Sequence, residues 1–298
     1  MTDRRAPTRR VLTVVLGMVV ALSVGAAPSP GAPGGGFVGA GNPPKPENAP
    51  YSYVSQNLSS MYQATVVVTG SDRRYRNAGF ARCLRTVLVK ASGNPRLAAD
   101  PRVDRYAREA NLFIASFDYV DQLAAYHIHD DQGTYDRPFN LTVRFVPAMI
   151  DRLLADLGDR PWRGDRPMIV PVLAVRGVTT AYVLGAETAA GADQRGSLEE
   201  SASELGLRVR FPTEAELAGW GVTADGFPSP HVAPPADWAL VTGTLEFVPA
   251  APGWAGSWKT RYRDRDYAWG VRGVNFDKAF QNLAAGVAQI ASGHGTPE

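Results

Sequence analysis

The chain is 298 residues long, 45% hydrophobic and 20% charged, with 31 Lys and Arg against 29 Asp and Glu for a formal charge of +2. That even balance lacks the excess of cations that neutralises phosphates, and it argues against a nucleic-acid binder. The single cysteine, Cys83, rules out an internal disulfide, and the length suffices for one large domain or two small ones.

The first 26 residues read as an address. Arg4, Arg5, Arg9 and Arg10 precede an apolar run from Val11 to Leu22, and Val24-Gly25-Ala26 then offers small residues. This order predicts a signal peptide over residues 1–26 and a periplasmic or otherwise exported location. The 16 residues from Val11 to Ala26 fall short of the roughly 20 that cross a bilayer. An inner-membrane anchor facing the periplasm is therefore the second reading, and membrane contact is expected only through an uncleaved leader. Thr8 to Leu12 resembles a twin-arginine signal, but Thr13 departs from it, so general secretion is expected. Four Arg and one Asp lie in the leader, which leaves 27 basic and 28 acidic residues beyond it. Residues 27–50 are rich in Pro and Gly, bury too little apolar surface to offset chain entropy, and read as a disordered linker.

An N-terminal subdomain is expected over residues 51–160. Tyr62 to Val68 is β-rich and stops at Gly70-Ser71-Asp72. Ala81, Leu84, Leu88 and Ala91 recur at helical spacing, widened by Val87, and predict a helix over 73–92. Asp72 is its expected N-cap and Gly93 its C-cap, and Asn94-Pro95 bars continuation. Pro101 opens a shorter helix to about Ala110. Leu112 to Tyr126, with interruptions, and Phe139 to Val146 read as strands. In the second, Leu141, Val143 and Phe145 alternate with Asn140, Thr142 and Arg144. Pro147 then starts a helix whose buried face is Ile150, Leu153, Leu154 and Leu157, ended by Gly158.

Asp159 to Arg166 reads as a joint into a C-terminal subdomain over residues 161–293, with 294–298 a tail. Met168 to Val175 is a near-continuous apolar run, as in a central strand covered on both faces. Thr180 to Leu184 is expected as a strand, 193–205 as a helix and Leu207 to Phe211 as another strand. Trp238 to Phe247, Trp254 to Arg263 and Tyr267 to Val271 predict a three-stranded meander. Phe276, Phe280, Leu283, Val287 and Ile290 line the last helix, capped by Asn275 and stopped at Gly293. The expected class is α+β, as two mixed sheet-and-helix subdomains behind a signal peptide and a disordered linker.

Several segments resemble the bacterial family called domain of unknown function 2066. They are Phe80 to Asn94, Pro95 to Val103, the run His127 to Thr134, the Asp136-Arg137-Pro138 turn, Phe139 to Leu157, Trp162 and Arg166-Pro167. The resemblance spans roughly residues 60–250 and implies an exported envelope protein, with no reaction attached. The second half more loosely resembles the α+β domains of Tol-type, curli-type and penicillin-binding-protein-activator accessory proteins, which bind other proteins.

His127, His129 and Asp131 share one side of an extended chain and carry donor atoms suited to zinc or another divalent ion. They are the candidate metal ligands, and the alternative to them is a polar hairpin turning at Asp130 to Gly133. His231 lies in a Pro-rich loop. Five of the six Trp fall between Trp220 and Trp269. Alternation places Trp254, Trp258 and Tyr262 on one face, with Lys259, Arg261 and Arg263 on or near the other, and Tyr267 and Trp269 extend the aromatic face. Trp254, Trp258 and Trp269 are the candidate partner-binding residues; the competing expectation is that these rings pack beneath the last helix. Cys83 sits beside a helical apolar stripe and is expected to be a packing residue. The chain holds no Gly-x-Ser-x-Gly elbow and no His-Glu-x-x-His. No catalytic residue and no cofactor is therefore assigned. The favoured role is a non-enzymatic binding or accessory protein with an envelope protein partner and no nucleic acid. An envelope hydrolase or metal-dependent enzyme using His127, His129 and Asp131, and a glycan-binding module, are the alternatives.

Overall fold

The computed structural model of the chain describes residues 58–123, 137–223, 229–250 and 252–297. The expected leader and linker, and the candidate ligands His127, His129 and Asp131, lie outside the described residues. The class is α+β.

A short helix, α1 (Leu58–Met61), leads into β1 (Gln63–Thr69) and then α2 (Arg73–Ser92). Asp72 occupies the N-cap position of α2 without a side-chain cap bond, while Gly93 caps its other end in the left-handed region at φ 75°. Asn94 and Asp100 accept bonds from the backbone N–H groups of Arg96 and Arg102, opening a 3-10 turn at Pro95–Ala99 and helix α3 (Pro101–Arg108). The strands β2 (Ile114–Asp121) and β3 (Pro138–Phe145) follow, then α4 (Pro147–Asp156) with Pro147 at its first turn. β3 is central to a three-stranded antiparallel sheet of order β1-β3-β2. Its inward residues Leu141, Val143 and Phe145 pack with Ala64 and Val68 against Cys83, Leu84, Val87 and Leu88 of α2 and Ile150, Leu153 and Leu154 of α4.

The second sheet is built on β4 (Met168–Arg176), buried through its seven interior residues. β5 (Ala181–Val183) pairs with it antiparallel, and the chain then runs through α5 (Ala192–Glu204), the two-residue β6 (Arg208–Val209) and α6 (Glu214–Gly219). β6 is shorter than the sequence suggests, because Leu207 and Phe211 are buried yet lie off the ladder. β7 (Trp238–Val248) returns parallel to β4, and β8 (Gly253–Tyr262) and β9 (Arg265–Val274) complete the order β5-β4-β7-β8-β9, with β6 also on β4. The final helix, α7 (Phe276–Ala291), is capped by Asn275, whose side chain accepts from the Lys278 N–H.

One face of this sheet packs under α5 and α7, and Trp258 is its largest fully buried side chain. Its ring stacks on Phe280 at 6.5 Å, and its indole N–H donates to Asn282 Oδ1 at 3.0 Å. Gly256 leaves room for the ring, with which a Cβ there would collide. At Gly243, directly across the ladder, a Cβ would collide with the Ser257 carbonyl oxygen and press on the ring at 3.0 Å. Trp269 is buried too and donates to the Asn282 carbonyl at 3.2 Å. Residues Val54–Glu298 form one compact unit, and Leu205 packs against both hydrophobic cores. Trp258→Ala should lower unfolding free energy by about 3–5 kcal/mol. Urea denaturation checks this, and a midpoint equal to the parent's would contradict the packing.

Candidate functional site

Two places concentrate polar chemistry, and elementary electrostatics separates their roles. The first is the junction between the sheets, at the C-terminal end of α2. The Trp162 N–H donates to Ala91 O at 2.7 Å, and Arg166 donates to Lys90 O at 2.8 Å and Leu205 O at 2.7 Å. The guanidinium lies 4.0 Å from the Trp162 ring, and burial lowers its pKa to about 10. Burial likewise lowers Lys90, which donates to Gln63 O, and raises the Glu204 carboxyl. Nearby, burial and a 2.6 Å bond to Asp151 push the Tyr62 hydroxyl up to about 12.

The same junction holds a chain of Ser, His and Asp. Ser292 Oγ lies 2.7 Å from His294 Nδ1, His294 Nε2 lies 2.9 Å from Asp159 Oδ1, and Asn94 donates to Asp159 Oδ2 at 2.8 Å. The order looks like a hydrolytic triad, but the setting opposes it. Ser292 stands at the C-terminal end of α7, within 3.1 Å of Gly93 O and 3.2 Å of Gln289 O. Carbonyl dipoles and the helix C-terminus both disfavour the negative charge that a nucleophilic oxygen and its oxyanion would carry. The arrangement is a tie from α7 to the end of α2 and to the segment after α4. Burial alone would raise the Asp159 carboxyl, but bonds from Asn94, His294 and the Arg160 N–H outweigh it and hold it below the ordinary range.

The second place is a groove of about 840 Å³ on the β7–β8 side of the second sheet. Ala239, Val241 and Leu245 of β7 belong to the core, so the alternate residues Trp238, Leu240 and Thr242 face the groove. Pro230, Val232, Pro234 and Pro235 of the preceding loop wall it, and Lys259, Arg261, Tyr262 and Tyr267 line the hairpin side. Arg210 fixes the Trp238 end: its guanidinium lies 4.4 Å from that ring and forks onto Glu216. That fork lowers the Glu216 carboxyl pKa and adds to its capping box with Thr213 at the start of α6. The β8–β9 turn closes the groove's other end. Arg263 and Asp264 both take left-handed φ, 48° and 62°, in a two-residue turn that Gly and Asn favour. Each position stores strain of order 1 kcal/mol.

The candidate partner-binding tryptophans are split by burial. Trp258 and Trp269 are committed to the core, whereas Trp254 is half-buried at the start of β8 between Phe247 and Phe276. Tyr262 and Tyr267 only border the groove's hairpin end, because alternation keeps them on the face of Trp258 and Trp269, where both pack against the core; the loop opposite the hairpin was not visible in sequence. His231 is exposed, its N–H donating to Trp220 O. Cys83 is buried, and burial pushes its thiol up to about 12, as suits a packing residue. Among the described residues, no group of three His, Cys, Asp or Glu could hold a metal, and no helix is long and apolar enough to cross a membrane.

Residues 55–163 match a family model. Its description is Domain of unknown function (DUF8605). The matched stretch runs from α1 through α4 to Trp162, and so takes in the first sheet and its side of the junction. It supports a domain of unknown function there, without the finer resemblance to domain 2066 or to Tol-type and activator domains. No curated protein and no solved structure matches the chain.

Because the folded Asp159 carboxyl is held low, its bonds stabilise the protein above the ordinary carboxylate range near pH 3.9 and lose that effect as pH falls through the lowered folded value. Asp159→Asn should therefore cost about 1–3 kcal/mol at pH 7, a deficit that narrows toward pH 2–3. Urea midpoints across that range check the sign; a deficit independent of pH would contradict it.

Proposed function

We propose that the chain is an exported cell-envelope protein with a non-enzymatic binding or accessory role, and that it holds a partner protein in the groove over β7 and β8. The observation that carries this reading is the groove itself: about 840 Å³, walled by prolines, floored by Trp238 and Leu240, and edged by three cations. Such mixtures of aromatic anchors and Arg concentrate binding energy at protein interfaces. The leader supports export, and the sequence resemblance to domain 2066 and to envelope accessory domains belongs to the same reading. So does the division into subdomains over 51–160 and 161–293. The metal-dependent alternative stays tied to His127, His129 and Asp131, and the glycan alternative to the half-buried Trp254.

A photo-crosslinking residue at Ala268, on the groove, and another at Thr65, on the exposed face of the first sheet, test this in the full chain expressed in its own host. The reading predicts a discrete protein adduct from Ala268 in the envelope fraction, none from Thr65, and an intact mass beginning near Ala27. Equal adducts from both positions, or none from Ala268, would overturn it.

A further inference from the structure

We propose that the segment held by this groove is an acidic, extended peptide of the partner, engaged along the β8–β9 hairpin; this rests on the groove reading above. The hairpin Gly253–Val274 carries Lys259, Arg261, Arg263, Arg265 and Arg272 against Asp264 and Asp266 alone. Its excess of three cations exceeds the +2 of the whole 298-residue chain. All seven charged residues are exposed; Lys259, Arg261 and Arg263 line the groove with Asp264 and Asp266, while Arg265 and Arg272 add their charge from outside it.

Three further features place that charge in a recognition surface. The turn keeps Arg263 and Asp264 in left-handed backbone, where a Gly or Asn would relax the strain, so charge is held at the groove's lip against a conformational cost. Arg261 meets Asp266 only at 3.7 Å, with both side chains more than 60% exposed. A pair so screened leaves guanidinium N–H groups for a bidentate carboxylate. Finally, β9 is the end strand of the sheet and pairs with β8 alone among the described strands. Its Asp266 and Ala268 line the groove beside Lys259 and Arg261 of β8, so an extended peptide lying in the groove crosses both strands of the hairpin and meets no further strand beyond β9. A flat anionic membrane surface would meet the same cations but leave the proline wall and the Trp238 floor unused, which is why a peptide is favoured.

The test uses the purified full chain and a fluorescein-labelled decaglutamate peptide, with decalysine and phosphatidylglycerol vesicles as comparison probes. Decaglutamate should bind, weaken at least tenfold between 50 and 300 mM salt, and weaken at least tenfold in Arg261→Glu/Arg263→Glu. Arg261→Gln/Arg263→Gln, measured with a melting curve, gives the same readout if the charge-reversed protein folds poorly. Decalysine should not bind. No binding of decaglutamate, undiminished binding by both double variants, or binding of vesicles in preference to the peptide would each overturn the proposal. The Ala268 adduct separates the two failures. If it persists undiminished in Arg261→Glu/Arg263→Glu, the groove reading stands and the acidic chemistry falls; if it never forms in the parent, the groove reading itself has failed.

Discussion

Residue 93 has no side chain, and the joining of the two sheets depends on that. Gly93 ends α2 at φ 75°, a conformation L residues rarely adopt, and a Cβ there would sit 2.5 Å from Ser292 Cβ and 2.8 Å from the Trp162 ring. The close approach lets the C-terminal end of α2 meet both the start of the second sheet and the end of α7. Around it the last carbonyls of α2, which no further turn of helix can satisfy, are taken by the Trp162 N–H, Arg166 and Ser292. Exposed carbonyls at a helix end thus become the attachment points for chain lying 70 to 200 residues away.

With the junction fixed, the second sheet has only one face left for chemistry. α5 and α7 cover the face bearing Trp258, and their cover requires large rings to lie flat between strands, which Gly243 and Gly256 permit. The opposite face of β7 receives the loop at Pro230 to Pro235, and the space between loop and sheet is the groove. Packing and recognition are therefore divided between the two sides of the same strands. Of the tryptophans, Trp258 serves the first purpose and Trp238 the second.

Much of this was legible in the sequence. The helical stripes of α2, α4 and α7, the unbroken apolar run of β4 and the alternation in β3 all follow from periods that burial imposes. Long-range features were not legible. Asp159 and His294 are 135 residues apart, and nothing local marks either as the other's partner. The short α6 was missed although Thr213 and Glu216 stand at capping-box spacing, because the neighbouring Leu207 and Phe211 suggested a strand. Alternation placed Trp254, Trp258 and Trp269 on one face but carried no information on what would cover each. The groove also depends on the loop around Pro234, whose position no periodic pattern encodes.

The central claim is that the α2 C-terminus couples the two sheets into one cooperative unit. Hydrogen exchange by mass spectrometry across a urea series, comparing peptides from α2 with peptides from α7, tests it most directly. The account predicts that both helices lose protection at the same urea concentration, and that Gly93→Ala shifts both together to lower urea. Protection retained in α7 after α2 has lost it would contradict the coupling.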